Sequence, residues 1–180
     1  MRKMLQSNTQ ISENKAEENS ETSVEYKKSV GQLLEIKSRK RVKELGEVFT
    51  PPHLVKEMCD FFNKYGAWSN IDSTILEPSC GTGNFLVEIL ERKLAYCHDI
   101  KEGLRALKAI WGIDIMQDNV DESKERMRQI FFGKFDNISS HYKSEADQIL
   151  DHNIICGDSL KIMAEWASEE ENHQLKMNFD

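Results

Sequence analysis

Three acids close three short apolar runs. Glu77 follows "STIL", Asp114 follows "AIWGI" and Asp158 follows "IICG". Two glycines, Gly81 and Gly83, stand just after the first acid in "EPSCGTGNF". An acid draws cations and accepts hydrogen bonds from hydroxyls and amines. Glycines two residues apart let backbone approach a ligand closely. The loop does not read as a phosphate cradle. A Walker loop places Lys and Ser/Thr directly after its last glycine, and here Asn84 and Phe85 follow Gly83. A dinucleotide fingerprint needs a third glycine where Leu86 stands. Glu77 would also face a pyrophosphate and repel it.

The same residues suit a nucleoside-type ligand with a cationic group and no phosphate. Glu77 can attract an ammonium. Asp114 can accept both ribose hydroxyls, as the acid of dinucleotide folds does. Asp158 can accept from the exocyclic amine of an adenine. S-adenosylmethionine carries all of these groups. Each residue also has a plain structural use. Pro51-Pro52 suits a helix start, the glycines suit a strand-to-helix turn, and Asp114 and Asp158 suit helix N-caps. Three acids in order at three strand ends favour the ligand.

Such a site needs elements to hold it. "STILEP" reads as a short buried strand over Thr74–Glu77, and "LKAIWGIDI" as a second strand ending near Asp114. "NIICGDSL" is a third strand and turn. Phe85, Leu86, Ile89, Leu90 and Leu94 mark a helix after the glycine loop. Val120, Met127, Ile130 and Phe131 mark another after Asp114. "FGKFDNISSHYKSEADQILDH" reads as an irregular connection with a short helical piece. A short amphipathic helix spans Leu160–Trp166, and "SEEENHQLK" reads as a solvated loop. Strand alternating with helix implies an α/β fold with a parallel sheet, whose ligands sit at the carboxyl ends of the strands.

Upstream, "GEVFTPPHLVKEMCDFF" reads as a helix with Thr50 as its N-cap and Pro51 in its first turn. Leu54, Val55, Met58, Phe61 and Phe62 then form one broad apolar face expected in the core, as is Met127. Residues 1–24 read as a disordered polar tail. Residues 25–45 read as a helical extension, with a basic run at Lys37, Arg39, Lys40, Arg41 and Lys43. That run suits a solvated helix face or a phosphate contact.

The chain has 180 residues, 39% of them hydrophobic, and a net charge of −7. Its mean hydropathy is −0.59 and its pI about 5.3. That balance argues against a protein gripping nucleic acid over its whole surface, but allows a local basic patch. No apolar run reaches membrane-spanning length, and no signal-peptide core follows the basic start. A cytoplasmic protein is the expectation. Cys59, Cys80, Cys97 and Cys156 are scattered, as are the five histidines, so free thiols and no metal site are expected.

These residues carry a resemblance. "EPSCGTGNF" resembles motif I of the adenine-N6 DNA methyltransferases, and "GEVFTPPHLVKEM" resembles their motif X. "GIDI" resembles motif II and "ICGDSL" motif III. The order matches the class in which cofactor binding precedes catalysis, especially the enzymes of restriction–modification systems. The resemblance implies a Rossmann-like S-adenosylmethionine-dependent fold, truncated after about three strands, over residues 46–180. It implies that backbone around Phe49, Thr50 and Pro51 contacts the methionine end of the cofactor. Glu77 and Pro78 would stand near the ammonium, with Cys80, Gly81 and Gly83 under the sulfonium. Asp114 would hold the ribose, Ile115 would pack on the adenine, and Asp158 would accept from its amine beside Ser159 and Leu160.

In this family a motif [NDS]-P-P-[YFW] after the fourth strand receives the target adenine, flipped out of the duplex. The prolines here are Pro51, Pro52 and Pro78, so no such motif follows the glycine loop. His53 departs from the aromatic that would follow a catalytic double proline. The final "MNFD" resembles the entry to the fourth strand. The expectation is the cofactor-binding part of a DNA methyltransferase, inactive alone and completed by a C-terminal chain or subunit before acting on double-stranded DNA. The alternatives are a non-catalytic cofactor-binding or interaction remnant, and part of an NPPY-type protein or RNA methyltransferase. An open sheet edge and exposed apolar helix faces would leave the chain marginally stable or dependent on a partner.

Overall fold

The structure is a computed structural model that describes residues 36–177, with side chains described through Ser168. The expected tail, most of the helical extension and the last three residues of "MNFD" lie outside the described residues. The chain divides into two compact units, residues 1–51 and 52–180.

In the first unit, helix α1 spans Arg39–Leu45. The Ser38 hydroxyl accepts from the Arg41 amide at 3.1 Å and starts it. Gly46, at φ 68°, ends it, its amide donating to the carbonyls of Arg41 and Val42. The Arg41 guanidinium pairs with Glu47 at 3.0 Å, so one cation of the basic run already serves the fold.

In the second unit, helix α2 spans Pro52–Asn63. It starts one residue later than the sequence suggests. Pro51 precedes a proline, which pushes it out of helical geometry. The apolar face expected in the core is mostly outside it. Val55 and Cys59 are buried, but Leu54, Met58, Phe61 and Phe62 are exposed, the last two by more than half. Helical periodicity identifies an apolar face, but not whether anything covers it.

Strand β1 spans Ile75–Glu77, β2 spans Ile110–Asp114 and β3 spans Ile154–Cys156. All pairing is parallel, in the order β1-β2-β3, with Glu77 opposite Gly112 and Asp114 opposite Cys156. The connections are helical. Helix α3 (Asn84–Leu94) and helix α4 (Ile100–Lys108) lie between β1 and β2. Helix α5 (Gln117–Lys134) and helix α6 (Ser140–Asn153) lie between β2 and β3, and helix α7 (Ser159–Met177) follows β3. Helix α3 packs on α5 and α4 on α6, and all four touch β2. Leu86, Leu90, Ile110, Ile113, Met127, Phe131 and Ile154 form the buried centre.

Three of these elements correct the sequence reading. Helix α4 was not expected. Asp99 caps it by accepting from the amides of Lys101 and Glu102, and Leu104, Ala106 and Leu107 are buried. The strand expected from Leu107 therefore begins at Ile110. The connection before β3 is a 14-residue helix rather than an irregular segment, started by the Ser139 cap. Helix α7 continues to Met177 through the expected loop "SEEENHQLK". That stretch has no glycine or proline and is rich in good helix formers. Its uniform polarity hides the helical period. Trp166 anchors α7, edge-on to Trp111 of β2 at 5.7 Å.

One buried cation fixes the approach to β1. The Lys93 ammonium, on α3, donates to the carbonyls of Asn70 (3.2 Å), Ile71 (3.1 Å) and Ser73 (2.7 Å). Burial lowers its pKa. The three carbonyls satisfy it without a carboxylate partner at hydrogen-bond distance, and they fix the loop that leads into the strand.

Candidate functional site

The loop after β1 is built from backbone bonds into its neighbours. The Cys80 amide donates to the Ile113 carbonyl at 2.9 Å, extending the β1–β2 contact beyond Glu77. The Gly81 amide donates to Asp114 Oδ2 at 2.9 Å. The chain then closes a tight turn, Gly83 amide to Cys80 carbonyl at 2.8 Å. Gly83 enters α3 at φ 86°, a left-handed conformation that favours glycine. A Cβ there would lie 2.7 Å from the Ser123 Cβ. The second glycine is thus required by close packing of α5 as well as by the turn.

Glu77 ends β1, partly buried, and its Oε1 accepts from the Ser79 amide at 3.4 Å. Burial holds its carboxyl above the usual carboxylate range, and that hydrogen bond only partly opposes the shift. An incoming cation would relieve this desolvation. Pro78 and Ser79 are exposed. Burial, helped by the nearby Asp114 and Glu77 charges, pushes the Cys80 thiol up to about 12. Cys80 is therefore a packing residue at neutral pH and not a nucleophile.

Asp114 is only 8% exposed. Besides Gly81, it accepts from the Met116 amide (2.9 Å) and from Asn119 Nδ2 (3.0 Å), both on Oδ1. Three donors thus take most of the roughly four acceptor directions of a carboxylate. The structure uses Asp114 as a tie between two strand ends and α5. Ile115, directly after it, is 59% exposed.

At the third strand end, the Gly157 amide donates to the Asp114 carbonyl at 2.9 Å, joining the last two ends. Asp158 Oδ1 accepts from the amides of Leu160 (3.1 Å) and Lys161 (3.4 Å), which is the N-cap role the sequence allowed. Its Oδ2 lies 3.5 Å from the Lys161 ammonium. Ser159 is partly exposed, and Leu160 is 79% exposed.

The fold therefore gathers Glu77, Cys80, Gly81, Gly83, Asp114, Ile115 and Asp158 at the carboxyl end of one sheet. Phe49, Thr50 and Pro51, all partly exposed, close the first unit. Among the described residues, no group of three His, Cys, Asp or Glu side chains could hold a metal ion. No described helix is long and apolar enough to cross a membrane. All four cysteines are free. Two grooves lie away from the strand ends. One is between α4 and α6, and the other is beside α3 and α5 at Leu94 and Ile130. Neither contains a strand-end acid.

Sequence reasoning missed the residues of α5 that brace the loop. Asn119, Ser123 and Arg126 fall on one face at helical spacing. Asn119 bonds Asp114, Ser123 packs under Gly83 and Arg126 reaches Thr82 and Asn84. The signal was present: three polar residues recur beside the apolar line of Val120, Met127 and Phe131. A polar stripe of that kind belongs against a polar neighbour.

A family model described as N-6 DNA Methylase matches residues 30–121, just over half of the chain. That span includes the glycine loop and the first two strand ends. No curated protein and no solved structure matches.

Proposed function

The chain belongs to the N-6 DNA methylase family, and on that premise we propose that its strand ends form the S-adenosylmethionine site of an enzyme that methylates adenine N6 in DNA. The observation that carries the proposal is the glycine loop, locked to Asp114 beside the desolvated Glu77 carboxylate. A site that holds an acid in this state, with no phosphate-binding pattern, suits an ammonium-bearing ligand. Two exposed apolar side chains, Ile115 and Leu160, stand at the neighbouring strand ends and suit an adenine ring.

S-adenosylmethionine, when bound, supplies an electrophilic methyl group on sulfur. The chain's own residues bind and orient. Glu77 attracts the ammonium, and the turn at Cys80–Gly83 presents backbone to the ligand. Ile115 and Leu160 offer apolar surface to the adenine, and Asp158 Oδ2 offers an acceptor to its amine. Asp114 retains limited capacity for a ribose hydroxyl, so its larger contribution is to hold Gly81 in place. Holding reactants in line is most of what such a transfer needs from a protein.

The double proline of this chain, Pro51-Pro52, precedes the glycine loop, and His53 follows it. The proposal therefore assigns this chain the cofactor-binding role. Recognition and stacking of the target base would fall to residues other than these, in a restriction–modification setting.

Calorimetric titration of the chain with S-adenosylmethionine tests the site. Wild type is expected to bind, and I115D to bind at least about tenfold more weakly through loss of apolar contact. I115D leaves every hydrogen bond described above intact. No heat with a folded wild-type chain would overturn the proposal. Methyl incorporation into adenine-containing DNA by the chain alone would overturn the division of roles.

A further inference from the structure

We infer that Arg126 is a positioning residue that holds the glycine loop in its ligand-ready shape. The inference rests on the reading of that loop as the cofactor site. The Arg126 guanidinium projects from α5, and its Nη1 donates to the Thr82 carbonyl at 2.6 Å and to Asn84 Oδ1 at 2.8 Å. The Thr82 hydroxyl lies 3.4 Å from the same nitrogen. These contacts cross 42 and 44 residues of sequence. They meet the loop at its tightest place, on either side of Gly83.

The chemistry explains why a cation is placed there. Thr82 is buried, and its carbonyl lies within a turn held by the left-handed Gly81 and Gly83. A carbonyl turned inward between two such residues has no strand or helix partner of its own, and leaving it unpaired is costly. Arg126 satisfies it with a charge-assisted bond. The same guanidinium holds Asn84, the first residue of α3, so the turn and the helix start are fixed together. Asp114 restrains the loop at Gly81 from the sheet side. Arg126 restrains it at Thr82 from the helix side. With the amide of Gly81 and the carbonyl of Thr82 both held, the peptide between them cannot rotate freely. A loop already in shape does not have to be ordered when ligand arrives, which preserves affinity.

The test is amide hydrogen exchange of the full chain, read at Gly83 and, as an internal reference, at Ile113 in β2. R126M removes the donors and keeps an apolar stem. It is expected to speed exchange at Gly83 by about tenfold, the scale of one charge-assisted bond, and to leave Ile113 unchanged. R126K keeps a point charge without the planar fork and is expected to fall between wild type and R126M. It carries the test if R126M does not fold. R128M is the control. Arg128 pairs with Asp147 and Glu125 and not with the loop. Unchanged exchange at Gly83, or equal acceleration at Gly83 and Ile113, overturns the inference. In parallel, R126M is expected to weaken S-adenosylmethionine binding by about tenfold, and wild-type affinity in R126M would also overturn it. Failure of the wild type to bind ligand overturns the proposed function instead, because the exchange experiment needs no ligand.

Discussion

The ends of β1 and β3 look alike in sequence and differ in the fold. Each is a three-residue strand with an acid and a glycine at its carboxyl end and a helix beyond. After β1, the loop is bonded to β2, to Asp114 and to α5, and residues 80–83 are buried. After β3, Asp158 caps its own helix and Leu160 faces solvent. The difference lies in what flanks them. Against the loop after β1 packs α5, with a polar stripe to receive it. Beyond β3, the described hydrogen bonds reach the end of β2 and the start of α7. One strand end is braced by the fold, and the other is open surface. For S-adenosylmethionine, the rigid end would serve the methionine half and the open end the adenine.

The sharpest way to break this contrast is at Gly83. G83A forces a left-handed backbone and drives a Cβ into Ser123. A loss of about 3 kcal/mol is expected from strain and overpacking together, measured by urea denaturation. A loss below about 1 kcal/mol would show that the loop yields easily and that the β1 end is not rigid.

K93M tests whether the approach to β1 is equally fixed. It strands three carbonyls that now share one ammonium, and a loss of about 2–4 kcal/mol is expected in the same measurement. A neutral result would confine the rigidity to the glycine loop.

Glu77 gives a pH-dependent test. Its folded carboxyl titrates above its ordinary value of 4.5, so the fold disfavours the ionised form. The penalty is full above the raised value, shrinks as pH falls through it, and vanishes below 4.5, where folded and unfolded states are both protonated. E77Q is therefore expected to be more stable than wild type at about pH 7, with the gap closing toward about pH 4. A gap independent of pH would show that the carboxyl is not desolvated. E77Q should also weaken an ammonium-bearing ligand at neutral pH despite its greater stability, which separates binding from folding.

The smallest effects belong to the β3 end. D158A is expected to cost about 1 kcal/mol, the usual worth of an N-cap, and D158N only a few tenths because asparagine also caps. If D158N nonetheless weakens S-adenosylmethionine binding more than D158A weakens folding, the open end takes part in recognition through its charge.

Much of the frame is legible in the sequence. The three strands, their parallel pairing and the helices that follow Glu77 and Asp114 all come from short apolar runs alternating with helical periods. What escaped was the polar helical material. In the sequence pattern helix α4 merges into its strand and α6 reads as a fragment, because large apolar residues are sparse in both, and the end of α7 reads as loop because its composition is uniformly polar. Leu104 and Leu107, or Ala146 and Leu150, are too sparse to announce a helix beside so many charges. The reverse error occurred at α2, where Phe61 and Phe62 have the spacing of a core face and yet are exposed. At the strand ends, the acids and glycines are legible in the sequence but their structural duties only half so. Asp158 is a cap, and Asp114 bonds the protein more than it faces outward.

The sequence by itself determined which groups stand at the strand ends, because residue type and period are local properties. It set the acids, the two glycines and the absence of a phosphate-binding pattern between them. The tertiary structure decided which of those groups are held and which are open. Asp114 and Gly81 are 33 residues apart in the chain, and Arg126 and Thr82 are 44 apart. Bonds of that reach exist only after β2 pairs with β1 and α5 packs against α3, so no local pattern encodes them.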